Sequence, residues 1–158
     1  MTPIDDAGVT VENDVVFATV AGTDLLCDVY RPDPAASKHT ALVHIHGGGF
    51  RGGSKAGART ARPLAALGYT CVSIDYRLSG DAKWPAQIED VKAALRWTRA
   101  NAAGLDVDPA KIVPVGYSAG GLLAIVAAGT PGAPQFEGTG GNAGVGTEVA
   151  ASVAFNTV

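Results

Sequence analysis

The stretch IVPVGYSAGG, residues 112–121, changes its periodicity in the middle. Ile112, Val113 and Val115 form a short apolar run rich in β-branched side chains, the pattern of a strand buried on both faces. From Ala119 the chain continues AGGLLAIVAAG, residues 119–129, which reads as a helix launched straight from the turn at Ser118. A buried strand that feeds a helix through one tight turn is a building unit of a parallel sheet with helices on its faces.

The same alternation recurs outward from this point. ALVHIH, residues 41–46, is a continuous apolar run and predicts a central strand, and YTCVSIDYR, residues 69–77, has the same character. Between them AGARTARPLAALG, residues 56–68, has helical spacing with Gly68 as a stop, but Pro63 predicts an irregular or late-starting helix. A clearer helix is expected from Pro85 to about Ala103: Pro85 suits the first position, Ile88, Val91 and Leu95 share a face, and Gly104 can end it. Near the start, VTVENDVVFATVAG (9–22) alternates and then turns, so an exposed antiparallel strand is expected, with TDLLCDVYRP (23–32) as its partner. GTPGAPQFEGTGGNAGVGT (129–147) reads as a long glycine-rich loop rather than a phosphate cradle, and EVAASVAFN (148–156) as one more strand. The expectation is an α/β fold with a mostly parallel sheet flanked by helices, in a single domain over residues 1–158, without internal repeats.

Composition narrows the function classes. A chain of 158 residues with 47% hydrophobic and 17% charged content suits one ordered soluble domain with a real core. A net charge of -3 and a pI near 5.5 argue against nucleic acid and anionic membrane as partners. The short basic run RTAR (59–62) reads as a solvated helix face. MTPIDDAGVTVEND (1–14) lacks the basic and apolar regions of a signal peptide, and LLAIVAAG (122–129) is too short to span a bilayer, so a cytoplasmic location is expected. Cys27 and Cys71 sit in separate strand-like segments without metal-ligand spacing and read as buried free thiols. A disulfide would need neighbouring strands, and a cytoplasmic setting argues against one. No metal or organic cofactor is implied.

Two motifs carry chemistry. Ser118 stands in G-x-S-x-G between Gly116 and Gly120, and its strand–turn–helix context turns a weak five-residue pattern into a candidate nucleophile. HIHGGGF, residues 44–50, places three glycines directly after a buried strand, leaving backbone N–H groups uncovered. Alone it would be a flexible turn. Beside the serine motif it reads as an oxyanion site, where one donor contributes roughly 3 to 4 kcal/mol to the transition state.

At these motifs the chain resembles the α/β-hydrolase superfamily, in its hormone-sensitive-lipase-like and acetylxylan or feruloyl esterase branches. LLCDVYRP, SIDYRLSGDAKWPAQIEDVKAALRW and DPAKIVPVGYSAGG occur in the order such esterases show. The resemblance implies Ser118 as nucleophile, the amides of Gly48, Gly49 and Ala119 as oxyanion donors, and a structural His46 that positions the glycine loop. In that family the triad carboxylate and histidine follow the serine. Here His39, His44 and His46 all precede it, and the acidic residues after it, Glu137 and Glu148, read as loop surface. His46, at the end of a strand beside the serine strand, is the weaker alternative as base.

The chain therefore reads as the N-terminal part of an α/β-hydrolase fold, its C-terminal strands and helices absent. The expected function is a serine carboxylesterase that hydrolyses small or short-chain acyl esters through an acyl-enzyme. A complementary C-terminal chain or a swapped copy would supply the acid and the histidine. The rival readings are a non-catalytic relative that binds a small ligand and an inactive truncation.

Overall fold

The computed structural model describes residues 6–157. The reading of the extreme N-terminus as free of a targeting signal falls partly outside them. The elements run β1 (Thr10–Val20), β2 (Thr23–Arg31), β3 (Ala41–Ile45), α1 (Ala61–Ala66), β4 (Thr70–Ile74), α2 (Ala86–Ala100), β5 (Ile112–Tyr117), α3 (Ala119–Gly129), α4 (Pro134–Glu137) and β6 (Val153–Phe155). Short 3₁₀ turns lie at Pro34–Ala36 and Lys55–Gly57.

The strands make one sheet in the order β1-β2-β4-β3-β5-β6. β3 pairs in parallel with both β4 and β5, so Val43 lies between Val72 and Pro114, and β6 continues the parallel set beside β5. β2 pairs antiparallel with β1 and β4, so of these six strands it alone runs against the rest. Every residue of β3 and β4 is buried, as strands covered on both faces require.

Alternation along these strands assigns the two faces. Val43, Ile45, Val72 and Ile74 pack with Ile88, Val91 and Leu95 of α2 and with Leu123 of α3. Leu42, Cys71 and Val115 face the other way, against Ala61 and Leu64 of α1. Cys27 belongs to the first face and Cys71 to the second, so the thiols lie on opposite sides of adjacent strands and both are free. Burial pushes both thiols up to about 12.

Several boundaries differ from the sequence reading. α1 begins late, at Ala61, as Pro63 predicted. Pro85 caps α2 from outside, behind a cis Trp84–Pro85 bond, and the helix stops at Ala100. The last strand is Val153–Phe155 only: upstream the Ala150 N–H reaches the Ile112 carbonyl of β5, but no ladder forms before Val153. The glycine-rich loop contains the single turn α4. No helix among the described residues is long and apolar enough to cross a membrane.

Candidate active site

Ser118 sits between β5 and α3 with φ 51° and ψ −120°, a backbone region that costs a non-glycine residue about 1–3 kcal/mol. The surrounding packing imposes it. A methyl on Gly116 would land on the Gly120 carbonyl, and one on Gly120 would land on the carbonyls of Ile45 and His46. Only glycine lets the turn close onto itself and onto the end of β3. The Ser118 carbonyl accepts the Leu122 N–H at 3.1 Å, which starts the helix. The Ser118 N–H donates to the Phe155 carbonyl of β6 at 2.9 Å.

The glycine loop leaves the end of β3 against this turn. A methyl on Gly47 would lie 3.3 Å from the Ser118 Cβ, so loop and serine touch. Gly48 and Gly49 are exposed, with φ of 115° and 61°. The Arg51 and Gly52 N–H groups turn back onto the Gly48 carbonyl at 3.0 and 3.2 Å. Among the described residues the amides of Gly48 and Gly49 make no hydrogen bond of their own. Ala119 is the first residue of α3, where N–H groups have no partner one turn back. The four residues singled out in the sequence, Ser118, Gly48, Gly49 and Ala119, therefore fall on two segments in contact.

The support beneath the loop is not legible in the motifs themselves. The Tyr76 hydroxyl donates to the His46 carbonyl at 3.0 Å, and the His46 ring stacks on Tyr76 with centroids 4.2 Å apart. Burial raises the Tyr76 phenol to about 12, which keeps it a neutral donor. Asp75 accepts the Lys55 N–H at 2.7 Å, and Arg77 forms a bidentate pair with the buried Asp90 of α2. The available signal was the run Asp75-Tyr76-Arg77, three hydrogen-bonding side chains at the end of a mainly apolar strand.

None of the three histidines bonds to the Ser118 hydroxyl. His46 Nδ1–H donates to the Gly47 carbonyl at 2.7 Å, which fixes its tautomer, and burial lowers its pKa. His44 is buried in β3 with neither ring nitrogen bonded, and burial pulls it down to about 4. His39 is exposed and pairs with Asp106 at 3.0 Å. A cavity of about 340 Å³ beneath the loop is lined by His44, His46, Gly47, Gly48, Ser54 and Tyr117. Ser118 is not in its lining, so this space lies behind the loop and not over the serine.

Glu148 is exposed, as expected, but Glu137 is not loop surface. It binds Lys92 at 2.8 Å, Arg96 at 3.1 Å and the Thr147 hydroxyl at 2.8 Å. Burial alone would raise its pKa. The bonds from Lys92 and Thr147, with the charges of Lys92 and Arg96, outweigh this and hold the carboxyl below its usual range. Bound to those cations, it is not free to orient a histidine. Among the described residues no three His, Cys, Asp or Glu side chains cluster as metal ligands would.

Comparison with known proteins bears on this geometry. The BD-FAE family matches residues 27–158. Esterase LipC of Mycobacterium tuberculosis is 39% identical over 115 residues, covering 71% of this chain and 28% of that protein. The propionate-bound esterase Est2 of Thermogutta terrifontis superposes with a TM-score of 0.80 at 34% identity, over 98% of this chain and 56% of Est2. A truncated carbohydrate esterase from gut microbiota gives a TM-score of 0.84 at 34% identity, over 98% of this chain and 59% of that one. The chain thus spans less than a third of LipC and a little over half of the two solved esterases.

Proposed function

The chain belongs to the BD-FAE family and has the α/β-hydrolase fold of esterases, and from that premise we propose that it is the nucleophile-bearing part of a serine carboxylesterase. The observation that carries this reading is the strained Ser118 backbone, held against a glycine loop with uncommitted amides. In the proposed reaction Ser118 Oγ attacks the ester carbonyl as an imidazole takes its proton. The oxyanion is held by the amides of Gly48, Gly49 and Ala119. The imidazolium then protonates the departing alcohol, leaving an acyl-Ser118, and water activated by the same imidazole releases the acid.

The imidazole and its carboxylate come, in this reading, from a further polypeptide segment. Supporting it, His39, His44 and His46 are each engaged or buried elsewhere, Glu137 is tied to Lys92 and Arg96, and the similar solved esterases are longer. Short-chain acyl esters are the proposed substrates, with acetylated or feruloylated carbohydrates next. Est2 was solved with propionate, and the gut enzyme is a carbohydrate esterase.

Two experiments test this. A fluorophosphonate probe should label Ser118, and Ser118→Ala should abolish both labelling and hydrolysis of p-nitrophenyl acetate; unchanged turnover would overturn the serine mechanism. Intact mass of the active material should reveal polypeptide beyond these 158 residues. Full activity from this chain alone would overturn the shared-site reading.

A further inference from the structure

The segment that would bind the oxyanion is poorly suited to hold itself in place. Five of the eight residues in GGGFRGGS, residues 47–54, are glycine, the residue with the greatest backbone freedom. Their fixed points are His46 at the entry, the Phe50 carbonyl accepting the Ser79 N–H at 2.7 Å in the middle, and Lys55 at the exit.

Lys55 is fixed through all of its polar groups. Its N–H donates to Asp75 Oδ1 at 2.7 Å, and its carbonyl accepts the Ser73 hydroxyl at 2.6 Å, both at the end of β4. Its ammonium reaches across to Asp28 Oδ1 of β2 at 2.6 Å and Asp14 Oδ1 of the β1 bulge at 2.8 Å. The Asp28 side chain is 7% exposed and that of Asp14 is 68% exposed, so Asp28 is the partner that water screens least. Asp28 Oδ1 also accepts the Asp14 N–H at 3.0 Å, so the same carboxylate ties the β1 bulge to Lys55. Burial opposes the charge on Lys55, but the bonds to Asp14 and Asp28 outweigh it and raise its pKa.

We propose that Lys55 is a positioning residue for ester hydrolysis: its clamp between strands β2 and β4 sets where the glycine loop ends, and so where the amides of Gly48 and Gly49 stand. The proposal rests on the oxyanion role given to that loop above. Its physical basis is that small displacements of catalytic groups cost rate steeply, and that charge-assisted bonds are stronger and shorter than neutral ones. The competing account is a salt bridge that only stabilises the β1–β2 hairpin.

The double variant Lys55→Met/Asp28→Asn separates the two accounts. It removes both charges, so no buried ion is left unpaired, and the carboxamide introduced on β2 still offers an oxygen to the Asp14 N–H. It is compared with the active wild-type protein by thermal melt, by amide hydrogen exchange and by kcat and KM on p-nitrophenyl acetate. The expected result is a melting temperature close to wild type and exchange of the Arg51 and Gly52 amides, which bond to the Gly48 carbonyl, about tenfold faster, with β3 unchanged. Alongside this, kcat should fall roughly 10- to 100-fold at nearly constant KM, the cost of misplaced donors. Lys55→Arg, which keeps the charge, should recover most of the rate. Wild-type kcat and loop exchange in the double variant would overturn the proposal, as would faster exchange throughout β3. Turnover that survives Ser118→Ala overturns the serine reading instead, and the exchange of the Arg51 and Gly52 amides still decides whether Lys55 anchors the loop.

Discussion

Gly48 and Gly49 share a left-handed backbone, yet a methyl group meets different surroundings at each. At Gly48 it strikes the Gly52 carbonyl, while at Gly49 it meets no atom within 4 Å. A side chain at Gly49 therefore crowds no atom of the described residues, and its cost within the chain is backbone strain alone. Gly49→Ala should cost only the backbone penalty, about 1–2 kcal/mol. Gly48→Ala adds a steric clash and should cost about 3 kcal/mol or more, both losses being read from urea unfolding curves. Equal losses would mean that the Gly52 carbonyl yields easily. His44 supports a second prediction at this scale. Its pKa is depressed to about 4, so on acidification the unfolded chain takes up a proton near pH 6.5 that the folded chain refuses. Stability should fall between pH 6.5 and 4, by on the order of 2 kcal/mol from this residue by about pH 4.5. His46, also depressed by burial, adds to the loss in the same direction. In His44→Leu the drop in unfolding free energy from about pH 7 to about pH 4.5 should shrink by that amount. An unchanged drop would show that His44 is not held neutral.

Helix α2 shows which parts of an element a sequence makes legible. Its apolar face, Ile88, Val91 and Leu95, is evident from spacing, and all three are fully buried. That Lys92 and Arg96 are buried as well is not evident, because the glycine-rich segment that covers them has no periodicity of its own. Lys92 reaches the Thr130 carbonyl, Arg96 the Gly141 and Glu137 carbonyls, and Arg99 the carbonyls of Gly146 and Glu148. A loop of small residues is thus shaped by cations from the helix beneath it. The strand–turn–helix at Ser118 is legible for the opposite reason: most of what shapes it is local backbone geometry that the motif spells out. The partners of Asp75, Tyr76 and Lys55 lie far away in sequence, and no spacing rule reaches them. Glu137→Ala should leave Lys92 without its carboxylate and cost about 2 kcal/mol, less than a fully buried pair would because Glu137 is 25% exposed. Faster hydrogen exchange across residues 130–147 should accompany it. A loss below about 0.5 kcal/mol would place Glu137 among ordinary surface pairs.

At the scale of the whole molecule the outer strand β6 is exposed on both of its faces. On the α1 side Val153 and Phe155 of β6 are 37% and 45% exposed, and Phe155 stacks on Tyr117 with ring centroids 5.0 Å apart. An apolar outer strand of this kind invites pairing with another chain. At rising concentration the 158-residue chain should self-associate in sedimentation velocity. Phe155→Lys should shift that association to at least about tenfold higher concentration, since a buried aromatic contact is lost and a charge gained. Association indifferent to this substitution would move the sticky surface elsewhere, to Ile125 or Trp84, which are also exposed. The bond from the Ser118 amide to the Phe155 carbonyl links this outer strand to the turn that carries Ser118. The proposed nucleophile is in effect wired to the rim of the sheet: a segment that paired with β6 would stand one peptide group from the Ser118 backbone. The Ser118 amide resonance would then report directly on anything bound at this edge strand.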